Sequence, residues 1–193
     1  MDIVARIEAA ASRWNVLDHP FYQRWSAGEL THAELAEYGA QYRHAVLALA
    51  DAAAAAGDPD HAREEHEHIV LWDGFAGACG SLPADPNAET RECAEAWTAG
   101  VDRLERLAIL YAIESAQPEI SKTKLEGLAA HYGFKEGRAT EYFEVHAERD
   151  HDHAAHSREL LEKLATEEDA PRLAARAEAA TRGNWRLLDG IKP

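Results

Sequence analysis

The segment YFEVHAERDHDHAAH, residues 142–156, combines a helical pattern with a run of side chains that can bind metal. Its histidine and aspartate candidates are His146, Asp150, His151, His153 and His156. Successive helical residues are about 100° apart, so the spacings of four and three place His146, Asp150 and His153 on one narrow stripe. His151 points away from it. Imidazole and carboxylate groups aligned in this way can hold a metal ion between them.

The apolar neighbours of this stripe predict that it faces the core. Phe143 and Ala147 flank it, and Leu160 and Leu164 continue the apolar face further along. The three ionisable groups would then enter the core together, which costs several kcal/mol unless they pair or bind a metal. The alternative is an exposed polar helix face that carries incidental histidines.

A second set of candidate ligands lies in HAREEHEHIVLW, residues 61–72. Glu64 precedes His68 by four residues and Glu65 precedes it by three, so either carboxylate can share a helix face with the imidazole. Glu-x-x-His is the spacing found in carboxylate-bridged two-metal bundles. Solvated charges on an exposed helix are the alternative. If neither glutamate binds metal, His61 becomes the candidate, seven residues before His68.

Glu114 differs from these residues because it lies inside an apolar run, LAILYAIESAQPEI, residues 107–120. Carboxylates are rarely buried without a partner, so Glu114 is predicted to bind a metal or to pair with a buried arginine or tyrosine. Pro118 cannot continue the hydrogen-bond ladder, so the helix should break just after Glu114. Such breaks often border a pocket, although a plain connection between helices is as common.

Together the three segments supply three carboxylates and three imidazoles, without a thiolate. The predicted ligands are Glu64 or Glu65, His68, Glu114, His146, Asp150 and His153. Such oxygen and nitrogen donors suit iron or manganese better than structural zinc. Six side chains exceed what one catalytic ion with open positions needs, which makes a two-metal site plausible.

The elements that position these ligands have a helical pattern throughout, and no run of alternating β-branched residues indicates a strand. The predicted class is all-α, with one domain over residues 1–193. The predicted helices span about residues 2–17, 20–27, 32–56, 59–80, 87–99, 101–117, 119–132, 137–166 and 170–189.

Composition narrows the classes of partner. The 35 acidic and 20 basic residues give a formal charge of -15, which argues against nucleic acid and against an anionic membrane surface. Cys79 and Cys93 fit a reducing compartment and are expected to be buried small hydrophobes. The chain has no secretory signal pattern and no apolar stretch long enough to span a bilayer. We expect a cytoplasmic protein, with a homodimer as the default assembly.

Four segments, in this order, resemble the haem-oxygenase-like di-metal oxygenases and oxidases. They are HPFYQRWSAGELT (19–31), REEHEHIVLW (63–72), LYAIESAQPEISKTKLEGLAAHYGF (110–134) and YFEVHAERDHDHA (142–154). The resemblance implies a compact haem-oxygenase-like bundle of about seven to nine helices. The same fold and parts of these motifs occur in pyrroloquinoline-quinone synthase and thiaminase II, neither of which uses the di-metal site.

The resemblance also implies a ligand set. The residues that match the family pattern cleanly are Glu114, His146, Asp150 and His153. His68 matches as well, but a short insertion that separates the double glutamate from this histidine in the relatives is missing here. Glu64 and Glu65 therefore compete for one place, with the family pattern favouring Glu64 and the Glu-x-x-His spacing favouring Glu65.

The activity implied by the resemblance is activation of O2 at two reduced metals, Fe/Fe (Fe2+/Fe3+) or Mn/Fe, followed by oxidation of a small molecule. Family members N-oxygenate amines, cleave C–C bonds oxidatively, or make p-aminobenzoate from their own tyrosine. In the members that do the last, the sacrificed tyrosine and the implicated lysine correspond to Tyr22 and Lys124. Because the family is broad, we predict an external amine-bearing substrate, with self-sacrifice of Tyr22 as the alternative.

Two further classes stay open. One is a metal-free hydrolase like thiaminase II, with Glu114 as general acid or base, although neither cysteine lies in a matching nucleophile motif. The other is a helical interaction protein, which leaves the buried ligand stripe unexplained. For the di-metal enzyme, Tyr22, Tyr38, Tyr42 and Trp72 are the candidates to line the substrate cavity, with access near Pro118.

Overall fold

The computed structural model of the chain describes residues 2–192, and over this range it contains nine α-helices and no strand. The helices are α1 Ile3–Ala11, α2 Pro20–Ala27, α3 His32–Ala56, α4 Pro59–Ala78, α5 Ala88–Thr98, α6 Arg103–Glu114, α7 Gln117–His131, α8 Glu141–Leu164 and α9 Ala170–Asp189. The all-α prediction is confirmed. None of these helices is long and apolar enough to cross a membrane.

The helix boundaries follow from capping residues in the sequence. Thr31 caps α3 through a reciprocal pair of bonds with Glu34, which satisfies two backbone amides that the first turn leaves unpaired. Asp58 caps α4 by accepting from the amides of Asp60 and His61. The break predicted near Pro118 is confirmed, since α6 ends at Glu114 and α7 starts with Pro118 in its first turn.

The first helix is shorter than predicted. It ends at Ala11, and two 3-10 turns, Ser12–Trp14 and Val16–Asp18, replace its expected last turns. Asn15 causes the interruption, because its backbone is extended and its side chain accepts a hydrogen bond from the Leu17 amide. Asparagine competes for backbone groups in this way and so favours turns over helix interiors.

The helices enclose two hydrophobic clusters. The larger is rich in aromatic residues from α2, α3, α4 and α8, and the smaller is formed mainly by α1, α6, α8 and α9. Along α8, Tyr142 and Phe143 belong to the larger cluster, whereas Ala154 and Leu161 belong to the smaller. The predicted ligand stripe of α8 lies between these two groups. Cys79 and Cys93 are buried free thiols, as predicted.

Candidate metal centre

The ligand stripe of α8 faces the core, as its apolar neighbours predict. His146 and Asp150 are buried, and His153 is mostly buried. Phe143 is also buried, whereas Leu164 at the end of the helix is exposed, contrary to the expected apolar face. The stripe therefore brings two imidazoles and one carboxyl group into the interior from a single helix.

A first trio of candidate ligands joins three helices: His61 of α4, Glu114 of α6 and His153 of α8, whose ligand atoms lie within 4.8 Å of one another. The Nε2 atom of His61 lies 3.0 Å from a carboxylate oxygen of Glu114. The imidazole rings of His61 and His153 have centroids 4.2 Å apart. The burial of Glu114 is thus accompanied by two imidazoles rather than by an arginine or tyrosine.

A second trio consists of Glu65 and His68 of α4 with His146 of α8. The Oε1 atom of Glu65 lies 3.2 Å from Nδ1 of His68. The Nδ1 atom of His146 lies 2.6 Å from the carbonyl oxygen of Tyr142 and donates to it. This bond fixes the tautomer that leaves Nε2 of His146 free as an acceptor, which is the usual arrangement of a metal-binding histidine.

Glu65 lies between the two trios, and Glu64 lies at their edge. The Oε1 atom of Glu65 is 3.7 Å from Nε2 of His61 and 3.9 Å from Nδ1 of His153, so one carboxylate reaches both groups. Glu64 is partly exposed, and its Oε2 atom lies 3.2 Å from Nε2 of His153. Of the two competing glutamates, Glu65 is the one inside the cluster.

The three buried carboxyl groups titrate differently. Burial raises the pKa of Asp150 to about 9, and the facing carboxylates of Glu114 and Glu65 add to this shift. Burial raises the pKa of Glu114 to about 7, against the lowering effect of His61. Burial also opposes ionisation of Glu65, but His68 and other imidazoles outweigh it and lower this pKa. Without metal, the cluster at pH 7 keeps a proton on Asp150, and metal binding would release it.

Seven side chains of this cluster present buried nitrogen or oxygen atoms that make no well-aligned hydrogen bond within the described part of the chain, although some lie 3.0 to 3.2 Å from one another. They are His61, Glu65, His68, Glu114, His146, Asp150 and His153. Unpaired buried polar atoms are costly, and a metal centre would engage all of them together. Three carboxylates offset most of the charge of two divalent ions, and donors without thiolate suit iron or manganese. The residues therefore fit an iron centre.

Lys124 lies in a cage of aromatic rings next to this cluster. Its Nζ atom is 4.9 to 5.9 Å from the centroids of five rings, those of Tyr22, Tyr38, Tyr42, Trp72 and Phe143. It has no hydrogen-bond partner among the described residues, and burial lowers the pKa of Lys124 to about 7. The four residues predicted to line a substrate cavity, Tyr22, Tyr38, Tyr42 and Trp72, surround this buried amine.

The aromatic cage around Lys124 and the cluster of candidate metal ligands are in contact through side chains of α8. The ring of Tyr142 stacks on His146 at 3.9 Å and packs edge-on against Trp72 at 4.9 Å. Phe143, which faces Lys124, is the next residue of the same helix. Near the helix break, an open cavity of about 420 Å³ is lined in part by Ser115, Ala116 and Glu119. Its lining includes neither Pro118 nor a residue that faces Lys124, so access to a substrate cavity near Pro118 stays a prediction.

Comparison with known proteins identifies the family. Residues 5–185 match the family model described as iron-containing redox enzyme. The chain belongs to this family. The 4-aminobenzoate synthase of Nitrosomonas europaea is 31% identical over 228 residues, covering 96% of this chain and 89% of the relative. The 4-aminobenzoate synthase of Chlamydia trachomatis is 28% identical over 214 residues, covering 99% and 92%.

Solved structures confirm the haem-oxygenase-like fold. A Shewanella denitrificans domain described as having this fold superposes with a TM-score of 0.79 at 20% identity, covering 99% of this chain and 92% of that one. A TenA homologue from Pseudomonas syringae pv. tomato gives a TM-score of 0.80 at 16% identity, with 97% and 89% covered.

The six ligands predicted from the sequence did not include His61, which was named only as the candidate if neither Glu64 nor Glu65 binds metal. Its signal was the spacing to Glu65 and His68, four and seven residues further on, which puts all three on one face of α4. The same spacing relates His146, Asp150 and His153 on α8. Asp150 belongs to neither trio, although it is buried and its Oδ1 atom has no hydrogen-bond partner in the part of the chain that the structure describes.

Separate Glu65→Gln and Glu64→Gln variants should differ in bound metal. We expect Glu65→Gln to lose at least one of two ions, because its carboxylate reaches imidazoles of both trios. Glu64→Gln should keep both ions, since its side chain contacts His153 from the partly exposed edge. Metal per chain after anaerobic loading with Fe2+ and desalting is the measurement. Equal occupancy in the two variants would contradict the central position of Glu65.

Proposed function

We propose that this iron-containing redox enzyme uses O2 at a two-iron centre to convert its own Tyr22 into 4-aminobenzoate, with Lys124 as the nitrogen source. The observation that carries the proposal is the buried Nζ of Lys124, which has no hydrogen-bond partner among residues 2–192 and lies 5.6 Å from the ring centroid of Tyr22. The sequence favoured an external amine. The closed cage, together with two relatives named 4-aminobenzoate synthase, supports the alternative.

Two iron ions, or one manganese and one iron, would be held by the two trios. His61, Glu114 and His153 would hold one ion, and Glu65, His68 and His146 the other. Asp150 would join as a further carboxylate once its proton has left. When bound, the metals supply the activation of O2 and the electrons that it takes up.

The chemistry of the product explains why a tyrosine and an amine must meet. In 4-aminobenzoate the carboxylate and the amine are para on one benzene ring. A tyrosine ring already carries Cβ para to its oxygen. Forming the product from it requires cleavage of the Cα–Cβ bond, oxidation of Cβ to a carboxylate by O2, and replacement of the phenolic oxygen, which leaves as water, by the Lys124 nitrogen. The Cε–N bond of Lys124 must then break, with O2 oxidising Cε to an aldehyde as the nitrogen stays on the ring.

The cage residues hold the two reacting side chains. The hydroxyl of Tyr22 is hydrogen-bonded to that of Tyr38 at 3.0 Å, which fixes the ring. Tyr22, Tyr38 and Lys124 are fully or almost fully buried, so water is excluded from the space between them. A pKa of about 7 leaves a large share of the Lys124 amine uncharged, and only the uncharged amine is nucleophilic.

The proposal is tested by Tyr22→Phe in protein supplied with iron, O2 and a reductant. We expect unchanged metal content and complete loss of 4-aminobenzoate, because the phenolic carbon–oxygen bond is needed. The wild-type chain should form at most one product molecule, with a mass loss localised to Tyr22 by peptide mass spectrometry. Protein labelled with 15N at the lysine side-chain nitrogen should yield 15N-labelled product.

Tyr132→Phe is the matched control, because Tyr132 packs against Trp25 outside the lysine cage. This variant should make as much product as the wild type. Many turnovers on an added amine, with an intact Tyr22, would instead establish the external-substrate function. Product that lacks 15N would contradict Lys124 as the nitrogen source, but it would not contradict the conversion of Tyr22.

A further inference from the structure

A small cavity opens beside the candidate metal centre, where the start of α4 faces the middle of α8. Its volume is about 200 Å³, and its lining residues are all acidic or histidine: Asp58, Asp60, His61, Glu64, His153 and His156. His61 and His153 belong to the first trio of candidate ligands. His61 is more than nine-tenths buried, and its Nε2 atom, 3.0 Å from Glu114, makes no well-aligned hydrogen bond to a described residue. The cavity therefore leads from solvent to the metal centre along side chains that bind cations.

Exposure decreases steadily along this cavity. At the mouth, the side chains of His156 and Asp58 are 55% and 36% exposed. Further in, those of Glu64 and His153 are 30% and 15% exposed. The side chain of His61, at the floor, is 9% exposed. A cation can thus lose its water in stages, with ligands available at each depth.

Neighbouring ligands along the cavity are close enough for one ion to contact both of them, so that it can be transferred from one ligand to the next. Nε2 of His156 lies 3.6 Å from Oδ2 of Asp58 at the mouth. Oε2 of Glu64 lies 3.2 Å from Nε2 of His153 at the next level. In each pair, one residue comes from the start of α4 and the other from α8.

The two aspartates at the mouth differ in availability. Asp60 is already paired with Arg63, whose Nη1 atom lies 2.6 Å from its carboxylate. Asp58 uses Oδ1 to accept from the amides of Asp60 and His61, which leaves Oδ2 facing His156. Asp58 is therefore the aspartate that can bind a cation at the mouth.

We propose that this cavity is the entry route for divalent metal, in which Asp58 and His156 form an outer binding site and Glu64 passes the ion to His153. The inference rests on the proposed function, because the route needs a two-metal centre as its destination. Pockets for organic substrates are usually larger and mainly apolar. A small opening lined by carboxylates and imidazoles suits a hydrated metal ion instead.

The test is stopped-flow mixing of metal-free protein with Co2+ alone, followed by its visible absorption, and equilibrium dialysis of the same samples. The double variant Asp58→Asn/His156→Gln should take up Co2+ about tenfold more slowly, because cation capture at the mouth is lost. It should still bind two ions at equilibrium. Asparagine retains the cap of α4, so the helix start is preserved. Glu64→Gln should also slow uptake.

The control is Glu67→Gln/His151→Gln, which makes the same change in charge at exposed positions of α4 and α8 outside the cavity. It should take up Co2+ at the wild-type rate. Two bound ions with an unchanged rate in Asp58→Asn/His156→Gln would overturn the entry route and leave the proposed function intact. Equal slowing in the control would also overturn it, since overall charge would then explain the rate. Wild-type protein that binds fewer than two ions would overturn both proposals.

Discussion

The Glu114→Ala variant is expected to lose most of the bound metal, with affinity at one site falling at least about 100-fold. Glu114 is almost fully buried, and neither of its carboxylate oxygens makes a well-aligned hydrogen bond to a described residue. One of them lies 3.0 Å from Nε2 of His61. Removing it leaves His61 and His153 without the carboxylate of their own trio, and only the more distant Glu65, 3.7 and 3.9 Å away, offsets the charge of the ion. Titration with Fe2+ against a competing chelator, under anaerobic conditions, measures the loss.

Glu162→Ala is the matched control, because it deletes the same side chain from the protein surface. Glu162 is half-exposed and pairs with Arg158 one turn away on α8, at 2.9 Å. Exposed pairs of this kind contribute little to stability. Metal content should therefore equal that of the wild type, and a comparable loss in both variants would rule out the assignment of Glu114.

The α8 stripe and Glu114 could be predicted because their signals are local. Spacings of four and three align His146, Asp150 and His153 whatever the rest of the chain does. Glu114 is conspicuous because it directly follows an apolar run, residues 107–113. In each case, the unusual feature is a charge in a segment that must be buried, and such a charge needs a partner.

The membership of the trios could not be predicted in the same way. Whether His61 meets Glu114 or another residue depends on how α4 packs against α6 and α8, which no local pattern encodes. The choice between Glu64 and Glu65 was open for the same reason, because one residue on a helix is a rotation of about 100°. Once His61 and His68 are known to face inwards, Glu65 follows, since it shares their face.

The burial of Lys124 also depends on tertiary packing. Trp25 donates from Nε1 to the carbonyl oxygen of Lys124, at 3.2 Å. This close approach is possible because Gly127 has no side chain, and a Cβ there would lie 2.5 Å from the Trp25 ring. In sequence, a lysine on an amphipathic helix is expected at the surface. Only the resemblance to the family singled it out.

The Lys124→Met variant is expected to be more stable than the wild type at pH 7 by a few kcal/mol, and to make no 4-aminobenzoate. Burial holds the pKa of Lys124 at about 7, against 10.5 for an ordinary lysine. Methionine has a similar length without the amine, so it should fill the same space among the rings. The variant is expected to gain stability because it lacks the buried amine, which has no hydrogen-bond partner among the surrounding rings.

The pH dependence of this difference identifies its cause. Between pH 7 and about 10.5 the unfolded wild-type chain holds a proton on Lys124 that the folded chain has mostly lost. Wild-type stability should therefore rise by up to about 1.4 kcal/mol per pH unit in this window relative to the variant. Below pH 7 both states hold the proton, and the full penalty applies. Urea unfolding of the metal-free proteins at pH 7, 8 and 9 measures how the difference in free energy of unfolding between them narrows.

The control is Lys122→Met, on the exposed face of the same helix, whose free energy of unfolding should follow that of the wild type at each pH. A gap that stays constant with pH would mean that Lys124 is not held uncharged, and the nucleophilic amine of the proposed reaction would lose its support.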